Sequence, residues 1–287
     1  MKYIEFLFFR INVVIFAITP FRLLYFYSDI LNFFLFNVIK YRKKVVLKNL
    51  HSSFPEKSET EINNLAKNFY KHLSDITLES IKGMSISEKE LKKRYKINNI
   101  EILDNYYKEG KSLLCLTSHY GNWEYGILGT GFLSHEFIAL YLPLTNKYSE
   151  KYGVKRRSRF GTRMVSIRDS KEVFSEESNR PKAFILAADQ SPSNKEKSYV
   201  FTFLNQESYC LHGPEAYARK TNYPAVFFEI KKVKRGYYEL NIEKFIDDYS
   251  SLNDGEITYK YIKRVEENIL QKPEFWLWSH RRWKLNN

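Results

Sequence analysis

Short apolar runs and helical segments alternate along the chain from residue 111 onward, and this alternation limits the fold more than any other feature. Strands are predicted at Ser112–Thr117, Phe137–Tyr141 and Ala183–Ala188, because apolar runs of this length are typical of short buried strands. Helical patterns begin near Asn122 and at Gly213. We therefore predict an α/β fold in which a central mixed β-sheet is flanked by helices.

The C-terminal part of the sequence extends this pattern. Ala225–Ile230 and Tyr237–Ile242 are predicted to pair as two strands that turn at Arg235 and Gly236. A last helix is expected over Ile257–Gln271, and it should stop before Pro273 because proline cannot continue a helix.

A long amphipathic helix is predicted upstream of the sheet. Ser58 and Glu61 have the spacing of a capping box, and Gly83 is expected to end the helix. The apolar positions between them recur at helical spacing: Ile62, Leu65, Ala66, Phe69, Leu73, Ile76 and Ile81. One face of this helix should therefore be buried.

The first fifty residues are both basic and aromatic. They hold eight basic and two acidic side chains, so +6 of the net charge of +13 lies there, and thirteen of the first 41 residues are Phe or Tyr. Charge combined with apolar rings points to a membrane surface more than to nucleic acid. Arg10, Arg22 and Asp29 interrupt the apolar runs, so the segment lacks the roughly 20 uninterrupted apolar residues of a clean transmembrane helix.

We expect residues 1–45 to form N-terminal membrane-anchoring helices, one or two in number, and residues 46–287 to form the α/β domain. Lys40–Lys44 and Lys48 make a basic cluster without an acidic residue, which should attract anionic lipid headgroups and place this side in the cytoplasm. The alternative is a core helix followed by a solvated basic turn.

The most chemically informative segment is Thr117-Ser-His-Tyr-Gly-Asn-Trp-Glu124. It follows a predicted strand, and sites on α/β sheets lie at the carboxyl ends of strands. His119 could accept a proton from a hydroxyl there, with Glu124 as the carboxylate that fixes the tautomer of the imidazole. A structural role for a single histidine beside a helix start is the alternative.

This HxxxxE segment resembles the lysophospholipid acyltransferase superfamily and, more narrowly, the late acyltransferases of lipid A biosynthesis. Other parts of the chain, in the same order as in that family, support the resemblance: Asn49-Leu50, Phe54-Pro55, Asn146, Arg157–Gly161, Ala188–Gln190, Phe203–Asn205, Gly213-Pro214 and Pro273–Lys284. Leu204-Asn205 departs from the commoner Phe-Gly pair.

The resemblance implies that His119 deprotonates the acceptor hydroxyl and that Glu124 orients and charge-balances His119. It also implies a set of substrate-binding residues: Asn122, Arg157, Arg159, Asp189 and Gln190. Arg157 and Arg159 remain alternatives for the family's functional arginine, and a turn or cap role is the alternative for Asp189. The run Lys151–Arg163 has six basic residues and no acid, which suits a phosphate group, whereas a solvated basic face is the other interpretation.

The expected function is transfer of a fatty acyl chain from a thioester of acyl carrier protein or coenzyme A to a lipid hydroxyl, on the cytoplasmic face of the bacterial inner membrane. A lipid A precursor is the expected acceptor, and a lysophospholipid, aminolipid or glycolipid is the alternative. No cofactor or metal is expected, because the sequence lacks CxxC, HExxH, P-loop and dinucleotide-binding motifs.

Two other functional classes fit the sequence less well. A protein that binds nucleic acid would use the basic charge and the aromatic residues, but no RNA- or DNA-binding motif is present, so no nucleic-acid partner is expected. A catalytically inactive membrane scaffold is disfavoured because His119 and Glu124 are both intact. Trp276–Lys284 could lie at the bilayer interface or pack against the core, and a structural role is expected for His280.

Overall fold

The computed structural model describes residues 1–286 of the chain. Its eleven α-helices in this range are α1 (Lys2–Ile18), α2 (Phe21–Phe33), α3 (Lys43–Ser53), α4 (Glu59–Gly83), α5 (Glu88–Arg94), α6 (Ile100–Lys108), α7 (Trp123–Thr130), α8 (Lys147–Arg157), α9 (Ser170–Ser175), α10 (Gly213–Thr221) and α11 (Glu256–Gln271). Its nine strands are β1 (Tyr95–Asn98), β2 (Leu113–Thr117), β3 (Glu136–Tyr141), β4 (Arg163–Ser166), β5 (Lys182–Ala187), β6 (Ser198–Phe203), β7 (Gln206–Leu211), β8 (Ala225–Lys234) and β9 (Tyr237–Ile246).

Seven of these strands form one mixed sheet in the order β1-β9-β8-β2-β5-β3-β4. All neighbours are parallel except β8 and β9, which form the antiparallel pair predicted from the sequence. The mixed α/β fold is therefore confirmed. Strands β1, β4, β6 and β7 were not predicted, and β6 and β7 form a separate hairpin.

Each face of the sheet is covered by helices. Leu114 and Leu116 of β2 point into the core that contains residues of α4 and α11. Leu113 and Cys115 of the same strand point into the opposite core, which contains residues of α6 and α7. Because successive side chains of a strand point to opposite faces, a run of buried apolar residues such as β2 is suited to a central position covered on both sides.

Helix α4 connects the N-terminal helices to the rest of the fold. It begins with the predicted capping box, in which the Ser58 side chain accepts from the backbone N–H of Glu61 and the Glu61 side chain accepts from that of Ser58. The Tyr25 hydroxyl of α2 donates to Glu79 of α4 at 2.8 Å. The Ser28 hydroxyl of α2 donates to the buried carboxylate of Asp75, one turn earlier in α4, at 2.7 Å.

The N-terminal helices expose much of their apolar surface. On α1, a set of exposed apolar residues recurs at helical spacing and makes one face: Ile4, Leu7, Phe8, Ile11, Val14, Ile15 and Ile18. The opposite side of α1 contacts α8, where Arg10 stacks on the ring of Tyr152 at 4.8 Å. Within residues 1–286, no individual helix has the length and hydropathy needed to cross a bilayer. The bent pair Phe21–Val38 and Lys43–Ser53, which meets at 85°, passes that test by length and composition.

Candidate active site

His119 and Asp189 meet at the carboxyl edge of the sheet. Strands β2 and β5 are parallel neighbours, and their register pairs Thr117 with Ala187, the last residue of each strand. His119 and Asp189 each lie two residues beyond these positions, so the chain turns bring them together. The Nδ1 atom of His119 lies 2.7 Å from Oδ1 of Asp189, and the backbone N–H of His119 donates to Oδ2 at 3.0 Å.

The Asp189 carboxylate is almost fully buried, at 1% exposure. Burial favours the neutral acid, but His119 and the indole of Trp276, which donates to Oδ2 at 2.8 Å, lower the pKa of Asp189 below its ordinary value. An ionised Asp189 accepts hydrogen bonds only. His119 Nδ1 must therefore carry a proton, which leaves Nε2 with a free lone pair.

The electrostatics of His119 suit a base that works near neutral pH. Burial opposes protonation of the ring, but the Asp189 carboxylate and its hydrogen bond, with a smaller contribution from Glu124, raise the pKa of His119 above its ordinary value. The side chain keeps 23% of its surface exposed, so Nε2 remains within reach of a substrate hydroxyl.

The carboxylate in hydrogen-bonding contact with His119 is that of Asp189 and not the expected Glu124. Glu124 lies in the first turn of α7, and both of its oxygens accept from Arg157 of α8, at 2.8 Å from Nε and 2.7 Å from a terminal nitrogen. This bidentate pair occupies the carboxylate, so it is Asp189 that hydrogen-bonds and orients His119. Glu124 acts on the imidazole only through its charge.

The other expected site residues separate into two groups. Arg157 and Gln190 line a cavity that also contains His119 and Glu124. Arg159 instead donates to backbone carbonyls outside this cavity, one of them that of Ile86, so Arg157 is the arginine that the structure brings to the site. Asn122 is buried, caps α7 by accepting from the N–H of Tyr125 at 2.9 Å, and donates to a carboxylate of α4.

The cavity runs between α7 and the face of the sheet and has a volume of about 540 Å³, within the range of ligand pockets. Its deeper lining is apolar and includes residues from α7 and from four strands: Gly126, Ile127, Ala139, Ile185, Phe228, Ile230 and Leu240. Tyr95 lies at the same end, and its hydroxyl has no hydrogen-bond partner in the described part of the chain. A larger open depression of about 1090 Å³ along β4 contains neither His119 nor Asp189.

The C-terminal segment packs against the core, one of the two alternatives that its sequence left open. Trp276 and Trp278 are buried, at 2% and 0% exposure. Nε2 of His280 accepts from the backbone N–H of Ser191 at 3.1 Å, and burial lowers the pKa of His280 to about 4, so the ring is neutral. The contact between Trp276 and Asp189 was not predicted, because nothing in the sequence pairs two residues so far apart.

Comparisons with known proteins identify the family of the chain. A family model described as bacterial lipid A biosynthesis acyltransferase matches residues 1–285. Over 247 residues, the chain is 21% identical to the lipid A biosynthesis palmitoleoyltransferase of Escherichia coli (strain K12), and this match covers 86% of the chain and 80% of the relative. A lipid A biosynthesis acyltransferase of Shigella flexneri matches to the same extent. The chain belongs to the bacterial lipid A biosynthesis acyltransferase family and is an acyltransferase.

Proposed function

We propose that this protein transfers a fatty acyl group from an acyl carrier protein or coenzyme A thioester to a hydroxyl of a lipid A precursor. The observation that carries the proposal is the position of His119, which is oriented by Asp189 and lines a largely apolar cavity. A base beside an apolar cavity fits a reaction between a hydroxyl and a fatty acyl thioester, since the acyl chain needs burial and the hydroxyl needs deprotonation.

The reaction follows from the hydrogen bonds of the pair. Nε2 of His119 takes the proton of the acceptor hydroxyl while the hydroxyl oxygen bonds to the thioester carbonyl carbon. The tetrahedral intermediate then collapses, the C–S bond breaks, and the imidazolium returns its proton to the thiolate. Asp189 remains ionised throughout and stabilises the imidazolium, as the aspartate of a serine-protease triad does.

Arg157 supplies positive charge to the same cavity. Its guanidinium lines the cavity and is fixed by both oxygens of Glu124. A cation held in this way can stabilise a developing oxyanion or a phosphate of the acceptor. Three exposed lysines of α8 follow one another at four-residue spacing, Lys147, Lys151 and Lys155. They add positive charge on the same helix, which suits a phosphorylated acceptor.

The exposed face of α1 supports a membrane location, and the basic cluster Lys40–Lys44 favours the cytoplasmic side of the bacterial inner membrane. Residues 1–45 would anchor the protein and residues 46–287 would form the catalytic domain. Helix α1 packs on α8, which also carries Arg157, so α1 lies beside one wall of the cavity. Leu142 and Leu144, 75% and 52% exposed, line the cavity as well and add exposed apolar surface there. A lipid acceptor could then reach His119 without leaving the membrane surface.

The function is tested with purified protein in phospholipid–detergent micelles. Labelled acyl thioesters of both carriers are offered with a lipid A precursor, a lysophospholipid, an aminolipid or a glycolipid, and the products are identified by mass spectrometry. We expect the lipid A precursor to gain one acyl chain. If only a different acceptor becomes labelled, that lipid replaces the lipid A precursor as the proposed acceptor. If no lipid becomes labelled with any acceptor, acyl transfer to lipid is refuted.

The deep end of the cavity gives a prediction about acyl-chain length. A Cβ atom at Gly126 would lie 2.9 Å from the Tyr95 hydroxyl and 3.9 Å from Cδ1 of Ile230, and all three residues line the cavity. We expect Gly126→Ala to narrow this end and to lower transfer of the longest accepted chain relative to shorter ones by at least roughly 10-fold, the effect of about one methylene in an apolar pocket. Competition among acyl thioesters of different lengths measures the ratio.

Gly129→Ala is the matched control for this change. A Cβ atom at Gly129 would lie 3.4 Å from Cδ1 of Tyr95, an ordinary contact, and Gly129 does not line the cavity. Both glycines lie in α7, so alanine raises helix propensity equally at the two positions. An equal shift in chain preference for the two variants would show that the deep end of this cavity does not hold the acyl chain.

A further inference from the structure

Helix α11 and the segment that follows it contact the two turns that carry His119 and Asp189. The Tyr261 hydroxyl of α11 donates to the backbone carbonyl of Thr117 at 2.6 Å and accepts from the backbone N–H of Ala188 at 3.0 Å. Thr117 ends β2 just before His119, and Ala188 directly precedes Asp189. One fully buried hydroxyl thus joins the ends of the two strands.

The segment after α11 makes further contacts with the same two turns. Trp276 pairs as an isolated β-bridge with Tyr120, the residue after His119. The backbone N–H of Gly121 donates to the carbonyl of Phe275 at 3.0 Å. The indole of Trp276 donates to Oδ2 of Asp189 at 2.8 Å. The segment therefore contacts Asp189 directly and His119 through the two residues that follow it.

We propose that Tyr261 and Trp276 are positioning residues for acyl transfer: Tyr261 sets the separation of the two turns, and Trp276 fixes the orientation and charge of Asp189. This inference rests on the proposed role of His119 as the base. Both side chains are buried away from the cavity lining, so they act through His119 and Asp189 and not on the substrate.

The two residues should act on His119 in opposite directions. Loss of the indole N–H leaves more of the Asp189 charge to attract the proton on His119, so Trp276→Phe raises the pKa of His119. Loss of the Tyr261 hydroxyl frees the two strand ends and weakens the contact between His119 and Asp189. Tyr261→Phe should therefore lower the pKa of His119. A loss of structural stability alone would not move the pKa of His119 in a defined direction in either variant.

The test is an NMR titration of the His119 imidazole in the purified full-length protein, together with kcat and KM. We expect a rise of roughly half to one pH unit for Trp276→Phe and a fall of similar size for Tyr261→Phe. For Tyr261→Phe, kcat should fall about 10-fold or more with little change in KM, since misplacement by an ångström can cost 10²-fold.

Two matched variants provide the controls. Trp278→Phe removes an equally buried indole whose N–H donates to the carbonyl of Pro273 at 2.7 Å. Tyr249→Phe removes a buried hydroxyl that donates to the carbonyl of Tyr223 at 2.6 Å. Both should lower thermal stability without moving the His119 titration. Unchanged titration in Trp276→Phe and Tyr261→Phe, or equal shifts in the controls, would overturn the inference. If the His119 titration shifts as expected but neither the wild type nor any variant transfers an acyl chain, the proposed function is refuted. The inference that Tyr261 and Trp276 position His119 and Asp189 would still stand.

Discussion

His119→Ala is expected to lower kcat for acyl transfer by 10²- to 10⁴-fold, the range that a well-placed general base contributes. The alanine cannot take the proton of the acceptor hydroxyl, and no other free imidazole in the described lining of the cavity can replace it. KM for the thioester should change little, because the acyl chain is expected to bind along the deeper apolar wall of the cavity. Single-turnover rates with a labelled acyl thioester measure the loss.

Folding should survive this change. Asp189 would keep its hydrogen bonds from the Trp276 indole and from the backbone N–H of residue 119, so its buried charge retains two donors. His51→Ala is a suitable control, because His51 is 40% exposed and its imidazole only approaches Glu59 on the surface. Wild-type turnover by the folded His119→Ala variant would remove the proposed mechanism.

Asp189→Asn is expected to cost about as much as loss of His119, roughly 10⁴-fold in kcat, through the tautomer of the imidazole. The Oδ2 position receives two donors, the Trp276 indole and the His119 backbone N–H. The amide oxygen must occupy that position, which turns the amide NH₂ toward Nδ1 of His119. Nδ1 then accepts, Nε2 carries the proton, and the base is blocked.

Glu124→Gln should behave differently, although Glu124 belongs to the HxxxxE segment. Its two oxygens bind Arg157, so the substitution releases the guanidinium and leaves the His119 tautomer intact. We expect the effects of Glu124→Gln and Arg157→Gln to be non-additive with each other, because both remove the same ion pair. Losses that instead multiply, together with inversion of the His119 tautomer by Glu124→Gln, would restore Glu124 as the partner of His119.

The parts of the fold with strong local signals were predictable from the sequence. The capping box at Ser58 and Glu61 marks the start of α4, and buried apolar runs mark β2 and β5. The four-residue edge strands β1 and β4 carry no such signal, because edge strands this short are specified by their neighbours and not by their own pattern. The β6–β7 hairpin turns at Leu204 and Asn205 with positive φ at both, and a leucine there gives no turn signal.

At the site, the sequence predicts the base, His119, but not the residues that hydrogen-bond to it or position it. His119 is recognisable because it comes two residues after a strand, within a motif. Its partner depends on strand order and register: Asp189 reaches His119 only because β5 lies beside β2 with Thr117 opposite Ala187. The nearby carboxylate of Glu124 suggests a pairing by spacing alone, yet Arg157 of α8 takes it. Tyr261 and Trp276 approach from the far end of the chain, and no short motif encodes that contact.

The pH dependence of kcat/KM for acyl transfer to the lipid acceptor tests the central claim most directly. The base must be neutral, and the Asp189 carboxylate raises the pKa of His119 above that of an ordinary imidazole, so the rate should climb with pH through one ionisation above that ordinary value. Asp189→Gly should move the ionisation of any residual activity to lower pH. A rate that is flat across this range, or one that rises near pH 4 as for a carboxylate base, would contradict the account.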